Sequence, residues 1–276
     1  MGTNLTHGST TVQTRVGRLH VRITGSGAPA LLWHSMFVDS TSWSRVIPAL
    51  ETQRTLIVVD GPSSGASQPL SWVSSIAACA EAAVEILDAF GVGSVDWLGN
   101  AWGGHVGIKA AATHPDRIRS LIAIGAPTHK LTGRVRTKVQ LLKPIYRTLG
   151  AVAPVTAALL DALLSDRTRS DDPAAVEIVT SAFRAADRRG MSLAMQSFIL
   201  DRPDLHDESR VIEAPTLFVA TDDRGEWTPA EAGAEVAHMR NASLVTLRGL
   251  RALPALESPD EVVSVVSAFW ARVGQA

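Results

Sequence analysis

Residues 95–105 read Val95-Asp96-Trp97-Leu98-Gly99-Asn100-Ala101-Trp102-Gly103-Gly104-His105. A short apolar run, a glycine-flanked turn and the opening of a helical pattern follow one another without a spacer. The frame is G-x-S-x-G, a strand–turn–helix in which Gly99 and Gly103 relieve crowding around one residue held in a strained turn. That residue is Ala101. A methyl group cannot attack a carbonyl, so the stretch predicts the geometry of a nucleophile without the nucleophile.

On either side of this stretch the same grammar repeats. Continuous apolar runs at 30–33, 56–59, 95–98 and 121–124 alternate with helical periods at 72–90 and 105–114. Unbroken apolar strands between helices predict a mostly parallel sheet covered on both faces, because such strands have no solvated side. Residues 10–16 and 19–24, separated by Gly17, read as an opening antiparallel hairpin. The pattern resumes with strands at 216–220 and 242–247 and helices at 229–239 and 260–273.

Between them, residues 128–214 lose the strand grammar and read as helices broken by Pro144, Pro154 and Gly190. The expected organisation is therefore a core of residues 1–127 and 215–276 with an inserted helical cap at 128–214. A cap placed there would roof the carboxyl ends of the strands, where open α/β sheets bind ligands. Leu141, Leu142, Ile145, Tyr146, Leu159, Leu160, Met191, Met195 and Phe198 are its candidate pocket residues.

Composition narrows the partners. With 26 Lys and Arg against 27 Asp and Glu the net charge is −1, and no basic run of nucleic-acid type occurs, so no nucleic-acid partner is expected. No stretch approaches the roughly 20 apolar residues of a membrane span, and none has signal-peptide form; a cytoplasmic protein without membrane partners is expected. The single cysteine, Cys79, lies in an apolar-periodic run and reads as a buried hydrophobe. Metal spacings such as H-E-x-x-H and phosphate loops are missing, so no metal and no cofactor is expected. Oligomeric state is left open.

Four segments in order resemble the α/β-hydrolase family. Leu31-Leu32-Trp33-His34-Ser35-Met36 is similar to the family's strand ending in His-Gly, with Ser35 where glycine is usual. Asp60-Gly61-Pro62-Ser63-Ser64-Gly65-Ala66-Ser67 resembles its D-x-x-G-x-G-x-S turn, with Ser63 replacing the first glycine. The elbow at Ala101 and the step His114-Pro115-Asp116-Arg117 complete the set. The resemblance implies an α/β-hydrolase fold, with Asp223 at the triad acid position and Asp222 as a near alternative. It implies the histidine position at Ala252, within Gly249-Leu250-Arg251-Ala252-Leu253-Pro254. Alanine fills that slot too. It also implies an oxyanion hole from the backbone N–H groups of Met36 and Trp102, which side-chain changes leave in place.

Without serine and histidine the acyl-enzyme route lacks two of three triad members. His34 is a possible acid or base at the strand end, with His105 and His129 behind it, and Asp223 is either a base or a partner of Arg224 or Arg251. Trp102 and Trp227 are possible aromatic walls of the site, whereas Trp33, Trp43, Trp97 and Trp270 read as core. Three functions fit. The protein acts on or binds a small apolar ester, lactone or ketone, using the oxyanion hole for lyase, isomerase or cyclase chemistry. Alternatively it is a serine ester or lactone hydrolase inactivated by engineered Ser-to-Ala and His-to-Ala changes. The third reading is a non-catalytic binding protein for a small apolar ligand.

Overall fold

The computed structural model describes residues 6–224 and 226–274. Its strands are β1 (Gly8–Thr14), β2 (Gly17–Gly25), β3 (Pro29–Trp33), β4 (Thr55–Val59), β5 (Val95–Asn100), β6 (Ile118–Ile124), β7 (Thr216–Thr221) and β8 (Ala242–Leu247). They form one eight-stranded sheet in the order β1-β2-β4-β3-β5-β6-β7-β8. The hairpin of β1 and β2 is antiparallel and β2 meets β4 antiparallel, after which every pairing is parallel.

The apolar runs became strands because the sheet is covered on both sides. Along β3, Leu31 and Trp33 belong to one core and Ala30 and Leu32 to the other, and β4, β5 and β7 divide the same way. This is the two-residue period of a strand carried into two hydrophobic layers. Helices Ile76–Ala89 and Trp102–Thr113 and the buried side of the inserted helices fill the first layer, while Pro259–Val273 closes the second. Trp33, Trp43, Trp97 and Trp270 are fully buried, and Cys79 is buried with its thiol pushed up by loss of solvent.

The helix expected from residue 72 begins at Ile76, because the Ser75 side chain accepts the Ala78 N–H and caps it. Trp72 and Val73 stay outside it, exposed. Between β6 and β7 the chain is helical, from Gly133–Leu149 to His206–Val211. Of the candidate pocket residues there, Tyr146, Leu159, Met191, Met195 and Phe198 are buried in the first layer. Leu141 and Ile145 correct that reading. They are 65% and 41% exposed and face outward, because the buried stripe of their helix runs through Val139 and Tyr146 instead. No helix among the described residues is long and apolar enough to cross a membrane.

Candidate active site

The end of β5 and the start of helix Trp102–Thr113 meet so closely that side chains are excluded. A Cβ on Gly99 would lie 2.2 Å from the Gly103 carbonyl oxygen, and one on Gly103 would lie 2.0 Å from that of Trp33. Between these glycines Ala101 takes φ 47° and ψ −106°, outside the wells open to an L-residue. Its N–H donates to the Ile124 carbonyl at 2.7 Å, and its own carbonyl accepts the His105 N–H at 3.0 Å. The turn is thus pinned at both ends to β6 and to the helix.

The other non-glycine residues with positive φ among those described are Phe37, Ser63 and Arg224. They follow β3, β4 and β7, so backbone strain is concentrated beyond the carboxyl ends of the strands that surround Ala101. Ser63 occupies the left-handed region that favours glycine, and its hydroxyl offsets part of the cost by accepting the Leu70 N–H at 2.9 Å. Gly65 remains glycine because a Cβ there would meet the Asp60 carboxylate at 2.3 Å.

Ala252 lies next to the elbow. The Asn100 side-chain amide donates to the carbonyls of Ala252 at 3.0 Å and Ile124 at 3.2 Å, so the residue before Ala101 ties the two alanine positions together. Ala101 and Ala252 are each half-buried. Met36 and Trp102 are buried, and among the described residues neither backbone N–H donates a hydrogen bond. The Trp102 ring stacks on Phe198 from the inserted helices at 4.6 Å and meets Trp33 and His34 edge-on. Trp102 is therefore a wall at the elbow. Trp227 packs edge-on against Phe218 and faces a separate cavity with His129 and His206.

His34 has no nitrogen to spare. Its Nε2 accepts the Gly61 N–H at 2.9 Å, which leaves the proton on Nδ1, donated to the Ser35 carbonyl at 2.6 Å. Burial holds the imidazole below its ordinary pKa, against the pull of Asp60. The geometry gives His34 the duty of joining the β3 and β4 loops. His105 donates from Nε2 to the Pro127 carbonyl at 3.0 Å, and burial and then Arg202 hold it well below its ordinary pKa.

Asp223 follows β7, and its carboxylate is taken. Oδ2 accepts Arg251 Nη2 at 2.7 Å and Nε at 3.1 Å, and Oδ1 accepts Arg224 Nε at 3.3 Å. The Arg251 side chain is 2% exposed and is held further by the Asp161 carbonyl, with the Asp161 and Asp166 carboxylates at 3.5 Å. Its own N–H donates to Glu257 at 2.8 Å, while Glu257 also accepts the Ser165 N–H at 2.8 Å. Ala252 N–H donates to the Leu163 carbonyl at 3.1 Å. The loop that carries Ala252 is thus bolted to the inserted helices through Arg251 and Glu257. Asp222 instead caps the turn, accepting the Gly249 N–H at 2.6 Å.

Arg251 was legible as a salt-bridge partner. The roles of Asn100, Asp161 and Asp166 were not, because each acts across more than eighty residues of chain and carries no local pattern.

A sheet of this order, with a strained strand–turn–helix at its centre and an acid after β7, defines an α/β-hydrolase scaffold. The chain belongs to the α/β hydrolase fold family, whose family model matches residues 28–171, just over half of it. It is 25% identical over 248 residues to the pyrrolizixenacetamide deacetylase of Xenorhabdus hominickii, covering 90% of this chain and 92% of that one. It is 29% identical over 113 residues to the 2-hydroxymuconate semialdehyde hydrolase of Pseudomonas sp. (strain CF600), and there it spans only 40% of the relative's length. The solved thermophilic esterase of Thermogutta terrifontis superposes with a TM-score of 0.87 over 96% of this chain and 99% of its own, at 22% identity, a likeness of fold.

Proposed function

We propose that this protein recognises a small apolar carbonyl compound, an ester, lactone or ketone, at the Ala101 turn without forming an acyl-enzyme. The observation that carries the reading is the Asp223–Arg251 pair: the acid that would orient a catalytic histidine is spent on a buried cation. Two backbone N–H groups, of Met36 and Trp102, remain to donate to a carbonyl oxygen, beside the aromatic face of Trp102 and Phe198. Such donors select for a carbonyl and stabilise an enolate or alkoxide if one develops. His34 is not free to act as a general base, since both its nitrogens are committed to backbone. Binding, or a rearrangement that needs only oxyanion stabilisation, is the chemistry left.

A disabled serine hydrolase is the second reading, favoured by the strain retained at Ala101, where a methyl group has no use for it. One experiment separates them. Ala101→Ser with Ala252→His is assayed on an aryl acetate, alone and with Arg251→Leu added. The proposal expects no turnover in the double variant, because Asp223 stays with Arg251, and a gain only in the triple. Turnover by the double variant alone would establish the disabled hydrolase. For the unaltered protein, saturable quenching of tryptophan fluorescence by unreacted lactones and aryl ketones is expected, and the absence of any such ligand in the panel counts against recognition at this turn.

A further inference from the structure

An open groove of about 320 Å³ runs between helix Gly133–Leu149 and residues 192–200, and none of its lining residues belongs to the Ala101 turn. Arg136, Gln140, Lys143 and Arg147 line it from the helix, at steps of four, three and four residues that keep to one flank. Ser192 and Gln196, a turn apart, line it from the other side. The helix carries no acid, in a chain whose net charge is −1. Among the described residues none of the three cations of the groove lies within 4 Å of a carboxylate, whereas Arg45, Arg54, Arg119 and Arg251 all do.

Two of these cations are held in place by neutral groups. Arg136 donates to the Leu200 carbonyl and Lys143 to Gln196 Oε1. Gln196 keeps that oxygen on Lys143 because its Nε2 donates to both oxygens of Asp201, at 2.8 and 2.9 Å. The amide thus stands between the ammonium and the acid. Burial draws the Lys143 ammonium down from its ordinary pKa against the pull of Asp201, and the nearby Arg147 adds to the fall. Ser192 is an independent sign of a ligand. It is 3% exposed, it lines the groove, and its hydroxyl makes no hydrogen bond to a described residue. Buried hydroxyls ordinarily have a partner, and here the groove is the side from which one arrives.

We infer that the groove binds a small, multiply charged oxyanion, a molecule bearing phosphoryl or carboxylate groups. Guanidinium and ammonium donors, joined by the Gln140 amide and the Ser192 hydroxyl, are the set that recognises such oxygens. Along the helix axis Lys143 and Arg147 are about 6 Å apart, and Arg136 lies about 10 Å before Lys143. A compact anion is held by the pair, and a longer one reaches Arg136 as well. The inference stands independently of what binds at Ala101.

The test is isothermal titration calorimetry of the full chain with pyrophosphate and, separately, with citrate. Saturable binding with a Kd below about 1 mM is expected for at least one of them at about 0.05 M salt, weakened ten-fold or more near 0.5 M chloride. The tighter of the two tells a phosphoryl from a carboxylate ligand. Arg136→Gln with Lys143→Gln should weaken binding about ten-fold or more, and Ser192→Ala about three-fold, at unchanged circular dichroism. Arg147→Gln removes an exposed cation that bonds to no described residue, so it should weaken binding about ten-fold even if the first pair unfolds the helix. Arg134→Gln with Lys138→Gln removes as much charge outside the groove and should change binding less than two-fold or so. No saturable heat with either probe up to about 10 mM overturns the inference. So does equal weakening by the Arg134 and Lys138 changes, which would mean diffuse surface charge, or binding indifferent to both Arg147→Gln and Ser192→Ala.

Discussion

Replacing Asp223 by Asn removes one negative charge and almost no volume, and it separates a structural carboxylate from a catalytic one. Arg251 is buried, so its positive charge is offset by its partners rather than by solvent. At 2.7 Å and an effective dielectric of about 20, the lost attraction is on the order of 6 kcal/mol before screening. Asp223 is 25% exposed, and Asp161 and Asp166 remain at 3.5 Å, which together reduce the expected loss to about 2–3 kcal/mol. In urea, followed by circular dichroism, the midpoint should fall by roughly 1 M at an unchanged slope. Arg251→Met should cost less, about 1–2 kcal/mol, because Asp223 keeps Arg224 and some solvent. The double variant should fall short of the sum by about 1–2 kcal/mol, the coupling of a touching pair. A loss below ~0.5 kcal/mol for Asp223→Asn, or additive single changes, would refute the claim that the acid is held by Arg251.

Other expectations follow from the same geometry. Gly103→Ala drives a methyl to 2.0 Å from the Trp33 carbonyl, so it should cost more than about 3 kcal/mol or abolish soluble expression, read by yield and thermal melting. Ala101→Gly relieves a φ of 47° worth ~1–3 kcal/mol, against ~0.5–1 kcal/mol of added chain entropy, and should raise the melting temperature; a fall would mean that the turn is unstrained. Arg45 holds Asp172 at a pKa of about 2 and also grips the Leu256 carbonyl, fastening the inserted helices to the core. Since that pKa is depressed, the contribution is present above the unfolded value near 4 and is lost as pH falls through the folded value. After discounting for exposure it is about 1 kcal/mol, and Arg45→Met should lower the urea midpoint at pH 7 but hardly at all near pH 2.

Residue patterning alone decided the layers, the mostly parallel sheet and the sharp strand–turn–helix with Ala101 between Gly99 and Gly103. Strands buried on both faces are mostly apolar runs, and Gly99 is demanded by Gly103 within one strand–turn–helix, so these signals are local in the chain, whereas the contact that demands Gly103 is with Trp33 of β3. What Asp223 does, where His34 spends its two nitrogens and which side of helix Gly133–Leu149 meets solvent were decided only on folding. Asp223 could have been a base or an ion-pair partner, and the choice depends on whether a cation from elsewhere is buried against it. Asp161 and Asp166 reach Arg251 across some ninety residues of chain, and no periodicity encodes such a meeting. Amphipathic helices pose the same problem: Ile145 is the more hydrophobic of two adjacent large side chains, yet the packed first layer turns the Tyr146 ring inward and leaves the aliphatic chain outward.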